Sequence, residues 1–330
     1  MNKNSLVAFL LLCASVLSFS GCASTVEIAE TYTKPAEINM AGRKTVVLES
    51  SRSGATAADG AMVVSRLRQQ LLAKNFTVVD RSAMDAKARE AFFGDGGEEE
   101  VKSASVLIRI GVLRNAVRTE REQDERVNYV QLIADKDSDA DYMVYRTVAR
   151  ADAEVSFDVI DLGSTSIITS STIASSQTTA SEWSQEGYGS VDASSALSKS
   201  YDDIVSKFMR KIAPYSVRVE HEVYAMDDSM PQAKVGVALL QAGRPDDAYR
   251  EFAAALDVAR STPGSDPKDM SLLIHNMAVA KEQDGAFQEA LDLYIESTRY
   301  EGAPDQSENI VRCQQRLQDQ SRLRDQGAGY

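Results

Sequence analysis

Histidine and cysteine, which commonly act as general base, nucleophile or metal ligand, are scarce in this sequence. Its 330 residues include two histidines and three cysteines. His221 and His275 lie in different predicted segments, so we expect each to be structural or exposed rather than part of a metal or general-base cluster. Cys313 lies in a predicted helix, and we interpret it as a small packing residue rather than a reactive thiol. The sequence therefore predicts a protein that is not an enzyme and that has no cofactor.

One acidic run has carboxylates at the spacing of the first half of a calcium-binding EF-hand loop. The run extends from Asp135 to Asp141, with aspartates at every second position. Such a loop needs glycine at its sixth position and glutamate at its twelfth, where this chain has Ala140 and Arg146. We interpret the run as a solvated acidic loop, and we predict no metal site.

The N-terminal residues predict a covalent modification site. Lys3 precedes an apolar run from Leu6 to Phe19, which is followed by Ser20, Gly21 and Cys22. The run is too short for a hydrocarbon core that needs roughly 20 apolar residues, but it fits a secretory signal. Its end resembles the bacterial lipobox, which implies a signal peptide over residues 1–21 and a lipidated Cys22 that carries acyl chains such as palmitate. Because Phe19 is bulkier than the usual aliphatic residue, cleavage by an ordinary signal peptidase is the alternative.

Charge and composition limit the kinds of partner. The formal net charge is -13 at pH 7 and the pI is about 4.8, which argues against nucleic acid and against electrostatic attachment to anionic lipids. Membrane attachment would then depend on the lipid. Ala23 and Ser24 supply no acidic retention signal after the cysteine, so we expect the periplasmic face of the outer membrane. Residues 22–42 are polar and aperiodic, and as an extended tether they would reach at most roughly 65 Å.

Residues 43–223 have the pattern of an α/β domain, with helices packed on a sheet. The predicted order is strand, helix, strand, helix, three strands, helix. The strands are expected at Lys44–Leu48, Phe76–Val79, Ser105–Leu113, Ala153–Leu162 and Ile167–Ser175, and the helices around Ala61–Leu72, Ser82–Ala91 and Ala193–Ala213.

The string Phe76-Thr77-Val78-Val79-Asp80-Arg81-Ser82, after a strand and a helix, resembles the curli-secretion lipoprotein (CsgG) family. The resemblance covers about Gly42 to Tyr215 and implies that family's α/β fold. Pore-forming members carry two long amphipathic insertions that span the membrane as strands. The first candidate here, Arg114 to Arg146, is densely charged, and the second, Thr178 to Val191, is short, so we predict no membrane-inserted strands. The closer analogy is with non-pore relatives, such as activators of peptidoglycan synthases or flagellar accessory lipoproteins.

Residues 224–326 have helical signals alone and resemble tetratricopeptide (TPR) repeats. Matching residues at repeat positions 8, 11, 15, 20, 24 and 27 are Gly236, Leu239, Gly243, Ala248, Phe252 and Ala255, and a second set comprises Ala278, Gly285, Ala290 and Tyr294. Position 8 recurs after 42 residues rather than 34, so we predict a lengthened loop at Ser261–Pro267. A polar helix from Gln306 to Arg324 would cap the stack.

Together these features predict a non-catalytic, lipid-anchored scaffold or adaptor in envelope assembly, secretion or cell-wall regulation. The TPR groove would bind an envelope or secreted protein. Self-association into a homo-oligomer is left open by the sequence. The alternative function is a subunit of an oligomeric CsgG-type secretion channel.

Overall fold

The computed structural model describes residues 24–40, 42–51, 57–80, 105–127, 141–226 and 229–327. The strands, in chain order, are β1 (Thr25–Lys34), β2 (Thr45–Ser50), β3 (Thr77–Asp80), β4 (Ser105–Val127), β5 (Asp141–Asp161), β6 (Ile167–Ala180) and β7 (Tyr215–Tyr224). The helices are α1 (Ala57–Ala73), α2 (Ala193–Ile212), α3 (Pro231–Gln241), α4 (Pro245–Ser261), α5 (Pro267–Gln283), α6 (Phe287–Ser297) and α7 (Ser307–Asp325). The predicted signal peptide with Cys22, the helix at Ser82–Ala91 and the acidic residues 135–140 lie outside the described residues.

The chain is mixed α/β and divides into two compact units. The α/β unit comprises Pro35–Tyr215 and the segment from Leu323, and the helical unit comprises the segment up to Lys34 and Ser216–Arg322. The predicted fold class, a sheet packed with helices and then a helical region, is confirmed. No described helix is both long and apolar enough to cross a bilayer.

The α/β unit contains a five-stranded sheet in the order β3-β2-β4-β5-β6. β2 pairs in parallel with β3 and β4, and β4, β5 and β6 pair antiparallel. Helices α1 and α2 supply Leu67, Leu71 and Phe208 to the core, where Phe208 stacks on Phe157 of β5 with ring centroids 4.0 Å apart. Asp192 caps α2 by accepting a hydrogen bond from the Ser194 amide.

A small buried polar cluster ties α1 to the rest of this unit. The Tyr201 hydroxyl lies 3.2 Å from the Asp59 carboxylate, which also accepts a hydrogen bond from Asn115 at 2.8 Å. Burial, together with the neighbouring Asp59 charge, raises the pKa of Tyr201 to about 12. Tyr201 therefore stays protonated and acts here as a hydrogen-bond donor between helix and sheet.

Strands β4 and β5 are longer than predicted. We expected β4 to end at Leu113, but it is paired as far as Val127. We expected β5 to begin at Ala153, but its pairing with β4 begins at Asp141. Ion pairs join the extended parts, because Glu122 lies 2.6 Å from Arg146 and further pairs follow along the strands. Charges on exposed strand faces conceal the apolar alternation on which strand prediction depends.

The two candidate insertions contact each other within the α/β unit. Ser184 forms an isolated bridge with Tyr145 of β5, and the ring of Trp183 lies 4.4 Å from the Arg146 guanidinium. Tyr188 packs edge-on against Tyr145, with ring centroids 5.2 Å apart. The segment that follows β6 thus folds back on the extended part of β5.

The helical unit has the close packing that its small residues predicted. A Cβ atom placed on Gly236 of α3 would lie 2.6 Å from the Phe252 ring of α4, so the two helices approach closely at this glycine. The predicted loop between the repeats lies where it was expected, because α4 ends at Ser261 and α5 begins at Pro267. Membership of the TPR family stays a prediction.

The predicted tether is wrong for residues 25–34, because they form β1. This strand pairs with β7 in a two-stranded sheet, here called the β1–β7 ribbon. Ile28 of β1 and Val223 of β7 are buried in the same core as Phe252 and Tyr294. The helical unit therefore includes a strand from the N-terminal side of the α/β unit and a strand from its C-terminal side. β7 lies in the range that we predicted for the α/β domain.

Candidate functional site: an ionic cluster that holds strand β1

Charged side chains from four elements converge where the β1–β7 ribbon packs on the helices. β1 contributes Glu30, β7 contributes His221, α5 contributes Glu282, and α7 contributes Arg312 and Arg316. The two arginines are four residues apart, so both lie on one face of α7. Two carboxylates face two guanidinium groups, so the charges of these four side chains balance.

Glu282 lies at the centre of the cluster and is fully buried. Arg312 donates to both of its carboxylate oxygens, at 2.7 and 2.9 Å, and the Tyr294 hydroxyl donates at 3.0 Å. Burial acts to raise the pKa of Glu282, but the hydrogen bonds and charge of Arg312 and the charge of Arg316 outweigh it and lower the pKa. Glu282 is therefore ionised, and its negative charge balances part of the positive charge on α7.

Glu30 connects β1 to this centre. Its carboxylate accepts two hydrogen bonds from Arg316 Nη1, at 2.9 and 3.1 Å, and lies 2.8 Å from His221 Nε2. Arg316 is 1% exposed, and its guanidinium lies 4.2 Å from the ring centroid of Tyr32, also on β1. Its Nε is 3.2 Å from Glu282. β1 thus supplies both a carboxylate and an aromatic ring to a buried arginine.

The backbone of β7 is held by polar side chains of α5. Asn276 accepts from the Tyr224 amide at 2.9 Å and donates to the Tyr224 carbonyl at 2.8 Å. His275 Nε2 lies 2.8 Å from the Glu222 carbonyl oxygen. Burial lowers the pKa of His275, so the ring is neutral at pH 7 and donates from Nε2. These contacts bind extended backbone in the way that a peptide groove does.

The two histidines, which we expected to lie apart, line the same cleft. This cleft has a volume of about 390 Å³ and is also lined by Tyr224, Asn309 and Arg312. His221 faces Glu30 through Nε2 and Arg312 through Nδ1, and His275 is hydrogen-bonded through both nitrogens. Since the ring nitrogens of both histidines face protein groups, this arrangement suits positioning of the chain rather than proton transfer to a bound substrate.

Cys313 lies beside the cluster and is buried, with no disulfide partner among the described residues. Burial, together with the negative charge of Glu282, raises the pKa of its thiol. The thiolate is therefore not formed at neutral pH, which agrees with our interpretation of Cys313 as a packing residue.

Sequence reasoning missed the residues of this cluster. Glu30 lies in a stretch that we interpreted as a tether, and Arg312 and Arg316 lie in a helix that we interpreted as a polar cap. The sequence did contain one signal, at Glu282. This residue follows Ala278 by four positions and so lies on the same face of the helix, and the small side chain of Ala278 indicated that this face is buried. A carboxylate on a buried face needs a cationic partner, so this position predicts an ion pair without naming the partner.

This chain has low sequence identity and low structural similarity to the solved structures that resemble it. No protein-family model matches the chain, and no curated protein matches it significantly. It is similar to a PelC dodecamer from Paraburkholderia phytofirmans, with 13% identity, 56% of this chain and 98% of that chain covered, and a TM-score of 0.26. It is also similar to a minor lipoprotein from Acinetobacter baumannii, with 14% identity, 52% and 90% covered, and a TM-score of 0.26. Neither likeness indicates what this chain does.

Proposed function

We propose that this protein is a non-catalytic lipoprotein, anchored in the outer membrane through Cys22 and facing the periplasm, that acts as a scaffold in the cell envelope. The observation that carries the proposal is the ionic cluster, which fixes β1 to the helical unit. β1 begins at Thr25, three residues after the predicted lipidation site. A strand in this position connects a lipid directly to the folded protein.

The position of β1 changes the geometry of anchoring. Three extended residues span at most about 10 Å, compared with the roughly 65 Å that the predicted tether would have allowed. With Cys22 acylated, the helical unit is therefore held against the membrane surface. The net charge of -13 keeps the protein from binding anionic headgroups by itself, so the lipid provides the attachment.

The helical unit also determines where a partner protein can bind. The face that carries His275, Asn276 and Glu282 is covered by the chain's own β1–β7 ribbon, from which His221 Nδ1 lies 3.7 Å from Glu282. An envelope partner would therefore bind other helical surfaces, where Val258 and Val311 are exposed by 55% and 64%. Partner binding in envelope assembly, secretion or cell-wall regulation is the role we assign to those surfaces.

Fractionation of cells tests the anchor. Cys22→Ser should move the protein from the outer-membrane fraction to the soluble periplasmic fraction, whereas the buried Cys313→Ser variant should stay with the membrane. If Cys22→Ser remained membrane-bound after a carbonate wash, attachment through the lipid would be excluded. Photo-crosslinking groups at the exposed positions 258 and 311 would then identify the protein that contacts the helices.

A secretion-channel subunit is the second candidate. The observation in its favour is the length of β4 and β5, 23 and 21 residues, since a membrane-spanning strand needs about 9–11 residues. The closely spaced charges from Arg118 to Arg126 oppose insertion. Ion conductance across planar bilayers by the lipidated protein would favour the channel function. No conductance at high protein density would exclude the channel and favour the scaffold function.

A further inference from the structure

Strand β6 is a sheet edge without the usual protection against pairing with other chains. It is the last strand in the sheet order, and β5 is its partner among the described residues. Its 14 residues include neither a charged side chain nor a proline, and its bulge, at Ile168, lies near its N-terminal end and leaves residues 169–180 regular. Exposed edges of this length normally carry charges, prolines or bulges, because their free amide and carbonyl groups otherwise recruit another strand.

The other unpaired edges of the same sheet are protected. β3, at the opposite end, has four residues. β4 extends beyond its pairing with β2, which ends at Ile110, but this part is rich in charged residues from Arg114 to Arg126. Among the described strands the lack of protection is therefore specific to β6, and we interpret this edge as one that pairs with another strand.

Two hydroxyl groups on β6 indicate which strand would pair with this edge. Ser171 Oγ and Thr179 Oγ1 are buried and have no hydrogen-bond partner in the part of the chain that the structure describes. Both residues lie on the inner side of β6, the side of buried Ile173 and Ser175. Ser171 and Thr179 each lie four residues from Ser175. A twofold axis at Ser175 would therefore place Ser171 of one copy of the chain opposite Thr179 of the other.

We propose that a second copy of this chain pairs antiparallel with β6 about a twofold axis at Ser175. The axis is perpendicular to the sheet, so the helices of both copies lie on the same side. Ser171 of each copy then lies opposite Thr179 of the other, and a rotation of these half-buried side chains brings the two hydroxyls within hydrogen-bond reach. On the outer side Thr172 faces Thr178 and Ala174 faces Ser176, so small uncharged side chains meet without repulsion.

This dimer goes beyond the proposed function and does not require the lipid. It joins two five-stranded sheets into one continuous sheet through an isologous contact. Lipid anchoring would favour the dimer by concentrating the chains on one surface, but the contact itself is formed by β6 alone. The dimer can therefore be refuted while Cys22 is found to be lipidated. Equally, the lipid anchor can be refuted while β6 is found to pair.

Cysteine pairs test the register in the full-length protein extracted in mild detergent. In Ala174→Cys/Ser176→Cys each introduced thiol faces its counterpart in the second copy, and oxidation should give a covalent dimer on a non-reducing gel. Ser170→Cys/Ala174→Cys, whose positions are equally exposed, should crosslink at least tenfold less. The unsubstituted chain controls for Cys22, since Cys313 is buried. Equal crosslinking of both pairs would overturn the register, and no crosslinking of either would overturn the interface.

Charge substitutions test the contact without a crosslink. Thr172→Lys/Thr178→Lys places two pairs of like charges across the interface and should shift the particle from dimer to monomer by light scattering. Thr172→Lys/Thr178→Glu places opposite charges there and should restore the dimer. All these side chains are exposed, so circular dichroism should show an unchanged fold. A ring of many copies, or a monomer for the unsubstituted protein at every concentration, would refute the proposal.

Discussion

Replacing Glu30 with glutamine should release β1 from the helical unit while leaving the rest of the fold in place. The change removes the negative charge that Arg316 and His221 share, but it keeps the size of the side chain. Arg312 and Arg316 would then share Glu282 as their one carboxylate within the cluster. A buried guanidinium that loses its partner is costly, because it cannot regain the water that burial removed.

The size of the effect follows from the burial of the two partners. Breaking a fully buried ion pair costs about 3–5 kcal/mol. Arg316 is 1% exposed, but Glu30 is 14% exposed and Glu282 remains nearby, so we expect the lower figure of about 2–3 kcal/mol. Since about 1.4 kcal/mol corresponds to a tenfold change in an equilibrium constant, opening of β1 should become roughly 30 to 150 times more frequent.

Hydrogen–deuterium exchange followed by mass spectrometry measures that opening directly. Peptides that cover residues 25–34 should exchange faster in Glu30→Gln by this factor, and peptides from α2 should not change. Glu27→Gln is the matched control, because Glu27 lies on the same strand but is exposed. If Glu30→Gln left exchange in β1 unchanged, or if Glu27→Gln accelerated it equally, the ion pairs would not be what holds β1.

Other changes to the helical unit give separate outcomes. Glu282→Gln should lower the free energy of unfolding of the unit by about 3–5 kcal/mol, against less than about 1 kcal/mol for Glu289→Gln, which is 63% exposed; urea titrations of both variants check this. Because the folded-state pKa of Glu282 lies below its ordinary value of 4.5, its stabilisation is present above that pH and is lost as pH falls through the folded-state pKa. The free energy of unfolding should therefore fall less on acidification in Glu282→Gln than in the unsubstituted protein. Gly236→Val should lower the melting temperature, with a loss of about 1–3 kcal/mol, because its side chain would enter the Phe252 ring. Cys313 should resist alkylation in the native protein and react fully in denaturant; rapid native labelling would contradict its burial.

Elements with a continuous apolar stripe were predictable from the sequence. The stripe from Leu197 to Ile212 predicted α2 within one residue of its C-terminal end, and Pro214 marked where the helix stops. β2 and the paired region of β6 also follow β-branched runs. In each case the burial of one face constrains the residue types, so that the period of the element can be read from the chain.

The ribbon and its cluster could not be predicted in the same way. β1 has apolar residues at alternate positions, Val26, Ile28 and Tyr32, but Glu30 lies on the same face and interrupts the alternation. The partners of Glu30 come from residues that are far away in the chain, and sequence spacing carries no information about which charges meet. The extension of β4 was missed because it is charged and exposed, and ion pairs join it to β5. The extension of β5 buries Val144, Val148 and Ala151, a signal that the prediction overlooked.

The distance along the chain between β1 and its partners affects how the protein reaches its native state. Glu30 and Arg316 are separated by 286 residues, so β1 is synthesised long before α7 is available. During that interval residues 35–215 can fold, and β1 must wait without a partner. Contacts this distant form late, which makes closure of the helical unit the slow step. The polar composition of β1, which concealed it from prediction, keeps the waiting strand soluble.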